Sequence, residues 1–535
     1  MRNRLVPILL LFAVFSACVQ IQPTPDPIQL TKSALTQSPP TNWWTDAAFY
    51  EIFVRSFYDI DGNGIGDFNG IRQKLDYLEE LGITAIWLMP INPSPSYHGY
   101  DVTNYYNVNS DYGSMDDFKN LLNETHKRDI RIIIDLVLNH TSREHPFFVE
   151  ANRDPNSSYR DWYIWSDKDQ GNYWHNGSQD FYYGFFWEGM PDLNYRNADV
   201  TSQMFNVARF WLEEVGVDGF RIDAAKHLIE EGNKVENTNA THEWYKGFYT
   251  YYKAKNPNAY TVGEVYGAGA FLANTYHHQL DQIFNFELAG GMMNSINSGS
   301  NTGINSAWKF TLKEMDTGNY ATFLTNHDQN RVMSVFNGNI DKAKLAAFLL
   351  LTSPGTPFIY YGEEIGMTGE KPDEDIRLPM QWTDTTNAGF TEGSPWRAPN
   401  ANYTAVNVAT QENDPNSLLS LYRNLISLRN QHSALQTGSL VMLDADNSNL
   451  YANLRANETE MILVVVNLSD TAISNYNLTL RDAVIKPGAY SLSPLFGEGS
   501  FTSLQVDPDG KFKDFKLLAE LPPYGKYILG LTPAK

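Results

Sequence analysis

The strongest constraint on this chain is an alternation that repeats eight times. Short runs with strand character fall at 49–56, 85–89, 131–136, 219–222, 260–262, 282–285, 321–324 and 357–361, with amphipathic stretches of helical periodicity between most of them. The clearest helical stretches are 75–81, 116–128, 201–215 and 342–351. Parallel strands need a crossover to bring the chain back to the same end, and a helix is the usual one. Eight such units point to an α/β fold, a closed (β/α)8 TIM barrel, rather than to an open doubly wound sheet. No G-x-G-x-x-G follows the first strand, which counts against dinucleotide binding.

Two stretches break the pattern. Residues 141–197, after the third strand, are loop-like and aromatic, with Trp162, Trp165, Trp174 and Trp187. An excursion of that length is expected to be a functional insertion at the barrel mouth. From 435 onward short alternating strands such as 461–467 are separated by Gly, Asn and Pro, which predicts a C-terminal antiparallel β-sandwich over 435–535. The barrel itself then occupies 42–140 and 198–434.

The N-terminus predicts export. Arg2 and Arg4 precede an apolar run at 5–15 that is too short to span a bilayer, so residues 1–17 read as a signal peptide. The sequence Phe15-Ser16-Ala17-Cys18 resembles a bacterial lipoprotein processing site, with Cys18 as the lipidated residue. Ordinary signal cleavage beside an incidental cysteine is the alternative. Cys18 is the only cysteine of the chain, which favours lipidation and rules out an intramolecular disulfide. Residues 18–41, rich in Pro, Gln, Ser and Thr, read as a flexible linker. The expected location is outside the cytoplasm, facing the cell exterior or periplasm, with membrane contact only through the lipid. A net charge of −22 excludes a nucleic-acid partner, which would require a clustered basic surface. Aromatics make up 13% of the chain, which suits the flat faces of sugar rings and large aromatic cores equally well.

The polar residues carry the chemistry. In a (β/α)8 barrel the C-terminal strand ends converge on one face, where active sites are built. Acidic groups fall at four of these ends: Asp135-Leu-Val-Leu-Asn139-His140, Gly219-Phe-Arg221-Ile-Asp223, Gly263-Glu264-Val-Tyr266 and Asn326-His327-Asp328. Hydrolysing a glycosidic bond takes two carboxyl groups flanking the anomeric carbon, roughly 5–5.5 Å apart in retaining enzymes. Adjacent strands four and five could supply that pair. A single Asp is more often a structural ion pair or a helix cap, but several strand ends that combine acid, His and Arg are hard to explain as packing. Arg221 and Asp223, two residues apart on one strand, point to the same side. The cation should keep Asp223 ionised, while nearby carboxylates should keep Glu264 protonated.

These blocks resemble the α-amylase family of glycoside hydrolases, in a form intermediate between its oligo-1,6-glucosidase and its amylase/neopullulanase branches. The resemblance extends from about residue 43 to the C-terminus, with four ordered motifs at 135–140, 219–227, 263–266 and 323–328. It implies Asp223 as nucleophile, Glu264 as general acid/base and Asp328 as the third acid. It implies substrate contacts from Tyr100, His98, Asp101, His140, Arg221, Lys226, His227 and His327. The loop Asp59-Ile-Asp61-Gly-Asn63-Gly-Ile65-Gly-Asp67 sets oxygen ligands on alternate residues, an arrangement suited to Ca²⁺, although an Asp/Gly turn has the same look. The resemblance implies a cation in this loop, as in some relatives, with Ile65 contributing its carbonyl. A second Ca²⁺ is implied at Asn139, Asp192 and the His227 carbonyl, without an identified ligand from the insertion.

The implied activity is retaining endo-hydrolysis of α-1,4 bonds in starch and maltooligosaccharides through a covalent glycosyl-enzyme, with transglycosylation open. Lys226-His227, the 190–194 segment and Tyr97 (where exo-acting relatives carry an acid) lean that way. The segment 377–382, with Ala388-Gly-Phe390, leans towards an exo-acting α-glucosidase or oligo-1,6-glucosidase, and a neopullulanase-like enzyme is a further alternative. A non-catalytic carbohydrate-binding lipoprotein is a remote one, because Asp223, Glu264 and Asp328 are all present. A monomer acting on α-glucans is expected.

Overall fold

The computed structural model describes residues 42–534. The expected signal peptide, Cys18 and linker lie outside the described residues. The strands of the first two thirds are β1 (Phe49–Ile52), β2 (Ala85–Leu88), β3 (Arg131–Leu136), β4 (Trp165–Ser166), β5 (Trp174–Asn176), β6 (Phe181–Tyr183), β7 (Gly219–Ile222), β8 (Tyr260–Gly263), β9 (Gln282–Phe284), β10 (Tyr320–Thr322) and β11 (Thr356–Tyr360). Eight of them close a parallel barrel in the order β1-β2-β3-β7-β8-β9-β10-β11 and back to β1.

The barrel strands are buried on both faces, which is why they read as short, nearly continuous apolar runs. Side chains alternate across each strand. Phe49, Trp87, Ile133, Val262, Phe284 and Phe358 fill the inside, where the Phe49 and Phe358 rings stack at 4.2 Å. Tyr50, Ile52, Ile86, Ile132 and Ile222 point outward into the helical layer. Near their C-terminal ends the inward positions turn polar. Asp135 of β3 pairs in register with Arg221 of β7, one row below Asp223.

Several boundaries differ from the sequence expectation for local reasons. β1 stops at Ile52, not at residue 56, because Val54–Phe57 coils into a helical turn. The helix expected at 116–128 is Met115–His126, started by a capping box in which Ser114 and Asp117 bond each other's backbone N–H. The stretch 201–215 is not one α-helix. Ala198–Arg209 is helical, then Phe210–Val215 widens to i→i+5 bonding and ends at Gly216.

Between β3 and β7 the chain makes its excursion, and β4, β6 and β5 form a small antiparallel sheet there. Beyond the barrel come β12 (Ser439–Met442), β13 (Asp444–Ala445), β14 (Leu450–Ala456), β15 (Met461–Asn467), β16 (Leu478–Leu480), β17 (Gly488–Phe496), β18 (Leu504–Val506), β19 (Phe512–Phe515) and β20 (Lys526–Pro533). They form a six-stranded sheet, β12-β14-β15-β20-β17-β18, and a three-stranded one, β13-β16-β19. On β15, Met461, Leu463 and Val465 face a core of their own, while Ile462, Val464 and Val466 pack against the barrel layer. No helix among the described residues is long and apolar enough to cross a membrane.

Candidate active site

Arg221, buried on β7, organises the polar end of the barrel. Its Nη1 donates to Asp135 Oδ1 at 2.6 Å and to Asp223 Oδ1 at 2.7 Å, and its Nη2 donates to Glu264 Oε2 at 2.6 Å. Asp223 follows β7 directly and Glu264 follows β8, so adjacent strands deliver both carboxyls to one guanidinium. Trp87 Nε1 holds the second oxygen of Asp135 at 2.9 Å, and the Ala224 N–H donates to Glu264 Oε2 at 3.2 Å.

Arg377 makes a second centre. Its Nη2 donates to Asp328 Oδ1 at 2.8 Å and to Asp373 Oδ2 at 3.3 Å, and its Nε to the His327 carbonyl at 2.9 Å. The His327 ring is wholly buried between Glu51 Oε1 at 2.5 Å from Nδ1 and Tyr100 Oη at 2.7 Å from Nε2. Tyr100 lies nearly parallel to it, with centroids 5.7 Å apart, and the Tyr100 carbonyl is 3.2 Å from His140 Nε2.

Burial dominates the electrostatics. It pushes the Glu264 carboxyl up to about 7, with Arg221 opposing and Asp223 and Asp328 adding to the rise. Asp223 is also raised by burial, against the pull of Arg221. The expectation that one cation would simply keep Asp223 ionised is therefore too simple, because that cation is divided among three carboxylates. Burial would raise Asp328 as well, but neighbouring basic groups outweigh it and hold it below its usual value. Since burial drives His327 well below its usual value, the permanently charged Arg377 in direct contact is the main agent. Burial likewise lowers His140 to about 3, so its ring is neutral.

These groups open onto a cavity of about 680 Å³. Of the residues expected at the site, His98, Tyr100, His140, Asp223, Lys226, His227, Glu264 and Asp328 line it. Arg221 and His327 are buried behind that wall, and so is Asp101, which accepts hydrogen bonds from Ser94 and Ser96. Lys226 pairs with Glu236 at 2.6 Å, and the His227 ring stacks on Phe185 at 4.0 Å. Sequence reasoning missed Phe185, Phe186, Tyr266, Lys371 and Asp373 in the wall, and Glu51 beneath it. Tyr266 was within reach, since it ends the Glu264 motif. Lys371 precedes, and Asp373 opens, a single helical turn at Asp373–Ile376 that carries no local signal of a site.

The 59–67 loop gathers its acids as expected. Ligand oxygens of Asp59, Asp61 and Asp67 lie within 4.8 Å of one another. Asp59 accepts from the Gly62 and Gly64 N–H groups at 2.9 and 2.7 Å, Asp61 from Asn63 N–H at 2.9 Å, and Asn63 Oδ1 from Ile65 N–H at 2.8 Å. A side chain at Gly64, where φ is +92°, would meet the Ser394 carbonyl at 1.8 Å, so the loop presses directly on that neighbour. The donors are all oxygen, which fits a hard cation. At the second implied site, Asn139 and Asp192 are neighbours deep under the insertion. Asn139 Oδ1 and Asp192 Oδ2 are buried there without hydrogen-bond partners among the described residues, which also fits a cation.

Comparison with known proteins agrees with this geometry. The model of the α-amylase catalytic domain matches residues 51–438. Alpha-amylase 3 of Dictyoglomus thermophilum is 44% identical over 436 residues, covering 80% of this chain and 85% of the relative. Oligo-1,6-glucosidase of Heyndrickxia coagulans is 35% identical over 524 residues, covering 81% and 93%. The crystal structure of the α-amylase from H. orenii superposes with a TM-score of 0.79 at 38% identity, covering 90% of this chain and 99% of that one. With a closed barrel, a carboxylate cluster around Arg221 and these relatives, the chain belongs to the α-amylase family of glycoside hydrolases.

Proposed function

We propose that this enzyme cleaves α-1,4-glucosidic bonds within starch and maltooligosaccharide chains, with retention of configuration. The observation that carries the reading is the single Arg221 guanidinium bonded to both Asp223 and Glu264 at the floor of the cavity. Two carboxyls drawn to one guanidinium from adjacent strands suit the close pair that a retaining mechanism uses. The Asp223 carboxylate attacks the anomeric carbon while Glu264 gives its proton to the departing glycosidic oxygen. Water then attacks the glycosyl ester, Glu264 takes a proton from it, and Asp223 is released. Asp328, kept ionised by Arg377, accepts hydrogen bonds from sugar hydroxyls. A sugar hydroxyl replacing water in the second step gives transfer, and the wall of Phe185, Phe186, Trp187 and Tyr266 suits a sugar acceptor.

Endo action is supported by Tyr97. It stacks on Trp396 at 5.5 Å and lies 5.8 Å from the Arg377 guanidinium, so an aromatic pair takes the place of an acid that would pin a chain end. The 377–382 segment, which leans towards exo enzymes, is divided: Arg377 holds Asp328 at the cavity, while Met380, Gln381 and Trp382 are buried. Relatives named oligo-1,6-glucosidase favour exo action as the second reading. A maltoheptaoside blocked at its non-reducing end decides between them. Cleavage is expected, and failure on it with rapid cleavage of the unblocked twin would establish exo action.

Ca²⁺ in the 59–67 loop, through Asp59, Asp61, Asn63, the Ile65 carbonyl and Asp67, would tie that loop to the barrel. A second ion would take Asn139, Asp192 and the His227 carbonyl. Export with lipidation at Cys18 rests on residues 1–18 alone. Cys18→Ser is expected to move the enzyme from the membrane fraction to the medium, and an unchanged membrane fraction would refute anchoring. A surface-tethered monomer suits a substrate too large to import.

A further inference from the structure

A second cavity, of about 600 Å³, opens beside the catalytic one, and the two share Lys371 as a common wall. Its position follows from the barrel. Counted round the closed sheet, β7 and β11 stand four strands apart, so they face each other across the ring. Lys226 and His227 follow β7, whereas Lys371 and Asp373 follow β11. The second cavity lies beyond Lys371, among segments that follow β10 and β11, on the side of the cleft remote from the Phe185 and His227 rings. Hydroxyl, amide and carboxylate groups line it, from Ser334, Asn337, Thr368, Glu370, Asp375 and Asn400. Several are fixed by their surroundings. Ser334 Oγ accepts the Gly369 N–H at 2.9 Å, Asn400 Nδ2 donates to the Thr368 carbonyl at 3.1 Å, and Asp375 Oδ1 accepts from Arg397 Nε at 2.8 Å. Asn337 and Glu370 are exposed, and their side chains enter no hydrogen bond or ion pair among the described residues. No aromatic ring is among the lining residues.

We propose that this cavity is a distal subsite for the non-reducing arm of a long α-glucan, reached past Lys371 by sugar units that extend beyond the cleft. A chain cut internally must leave the catalytic cavity in both directions, and Lys371 is the lining residue common to the two cavities. The volume falls within the roughly 300–1,000 Å³ typical of small-ligand sites. Sugar hydroxyls both donate and accept, so a wall of amides, hydroxyls and carboxylates offers them partners of both kinds. Because no ring stacks there, the gain comes from hydrogen bonds exchanged for those to water, and each of these contributes modestly. The cavity therefore rewards chain length and does not hold a short sugar on its own. The class of ligand and the direction of the chain rest on the function proposed above.

The test compares maltotriose and maltoheptaose binding to the full chain carrying Glu264→Gln, by calorimetry and without turnover. Maltoheptaose is expected to bind about tenfold more tightly, the equivalent of about 1.4 kcal/mol. Ala401→Leu, at an exposed position on the cavity wall, fills space and offers a sugar neither a ring nor a hydrogen bond. It should remove most of the gain and leave maltotriose unchanged. Asn337→Gly deletes an amide at a residue whose φ of +52° glycine adopts freely, and should remove part of the gain. Equal affinity for the two sugars, a gain that survives both substitutions, or failure of maltoheptaose to bind overturns the subsite. With Glu264 restored, Ala401→Leu should move the cut on reducing-end-labelled maltoheptaose towards the non-reducing end, so labelled products lengthen. Unchanged or shorter labelled products overturn the placement. The function proposed above fails on a different result, no cleavage of maltoheptaose by the parent enzyme. A parent that cleaves it without length-dependent binding loses only the subsite. If Ala401→Leu does not fold, Asn337→Gly alone must reduce the gain, and an unchanged gain sinks the proposal.

Discussion

The loop after β1 and the floor of the cleft both gather carboxylates, but they neutralise them differently. In the loop, Asp59, Asp61 and Asp67 fall within one short segment and accept backbone N–H groups of Ile60, Gly62, Gly64, Asn63 and Gly70. In the cleft, Asp135, Asp223, Glu264 and Asp328 come from four strands and depend on the side-chain cations Arg221 and Arg377. Amide dipoles offset charge only partly and leave the loop an attractive seat for an ion. The cleft keeps fewer cations than carboxylates, so negative potential remains where an oxocarbenium-like transition state gains positive charge. The loop's acids are met by amides of their own segment, the cleft's by cations delivered from other parts of the fold.

That contrast breaks first at Glu264 and Asp223. Glu264→Gln is expected to lower kcat by about 10²–10⁴-fold while thermal unfolding stays near that of the parent. Asp223→Asn should cost at least as much, since no glycosyl-enzyme could form. Activity close to normal in either variant would remove the assignment. Next comes Arg221. Replacing it by Leu would strand buried carboxylates, and removing one partner of a buried ion pair costs about 3–5 kcal/mol. Chemical denaturation reads this directly, and a stable, active Arg221→Leu protein would refute the shared-cation account.

The pH profile sharpens the same point. Glu264 must carry its proton to act as acid, and burial sets its value at about 7. Activity should therefore fall as pH rises through about 7, and fall again in acid as Asp223 becomes protonated. A flat profile across neutrality would count against Glu264 as the acid. For the loop, chelation of calcium should lower Tm by about 1–2 °C, on the order of a 1–2 kcal/mol loss. Asp61→Ala should show no such response in the part due to this site.

How legible each region was in the sequence follows from its geometry. The clustering of acids in the 59–67 loop could be read because Asp59, Asp61 and Asp67 fall on one short segment, and a local pattern survives without the fold. The barrel could be read because both-face burial leaves apolar runs, although β1 ended early where Val54–Phe57 coils. Asp223, Glu264 and Asp328 stood out through their motifs, not through spacing, since only the closed barrel brings strands β7, β8 and β10 together. Glu51 was invisible because its partner, His327, is far along the chain. The neutral state of the buried histidines and the raised value of Asp223 depend on desolvation, which no sequence pattern encodes.

A third acidic pair tests what happens when neither amide dipoles nor a bonded cation are supplied. Glu363 and Glu364, just past β11, are buried and bonded to tyrosines: Glu363 Oε1 accepts from Tyr422 at 2.7 Å, and Glu364 Oε1 accepts from Tyr50 at 2.7 Å and from Tyr77 at 2.5 Å. Burial pushes Glu363 from 4.5 up to about 8. Here a proton does the work that Arg221 does in the cleft. A carboxyl whose folded value is raised binds a proton in the folded state that the unfolded chain has already lost. Its contribution to stability is therefore greatest below about 4.5 and declines as pH climbs towards about 8. Glu363→Gln mimics the protonated form, so the gap in unfolding free energy between variant and parent should widen in the variant's favour across that window. Other buried acids titrate in the same range, but they are common to variant and parent and cancel in the gap. A gap that stays constant with pH would mean that Glu363 is ionised in the fold, and the neighbouring Arg331 would then have to be its counter-charge.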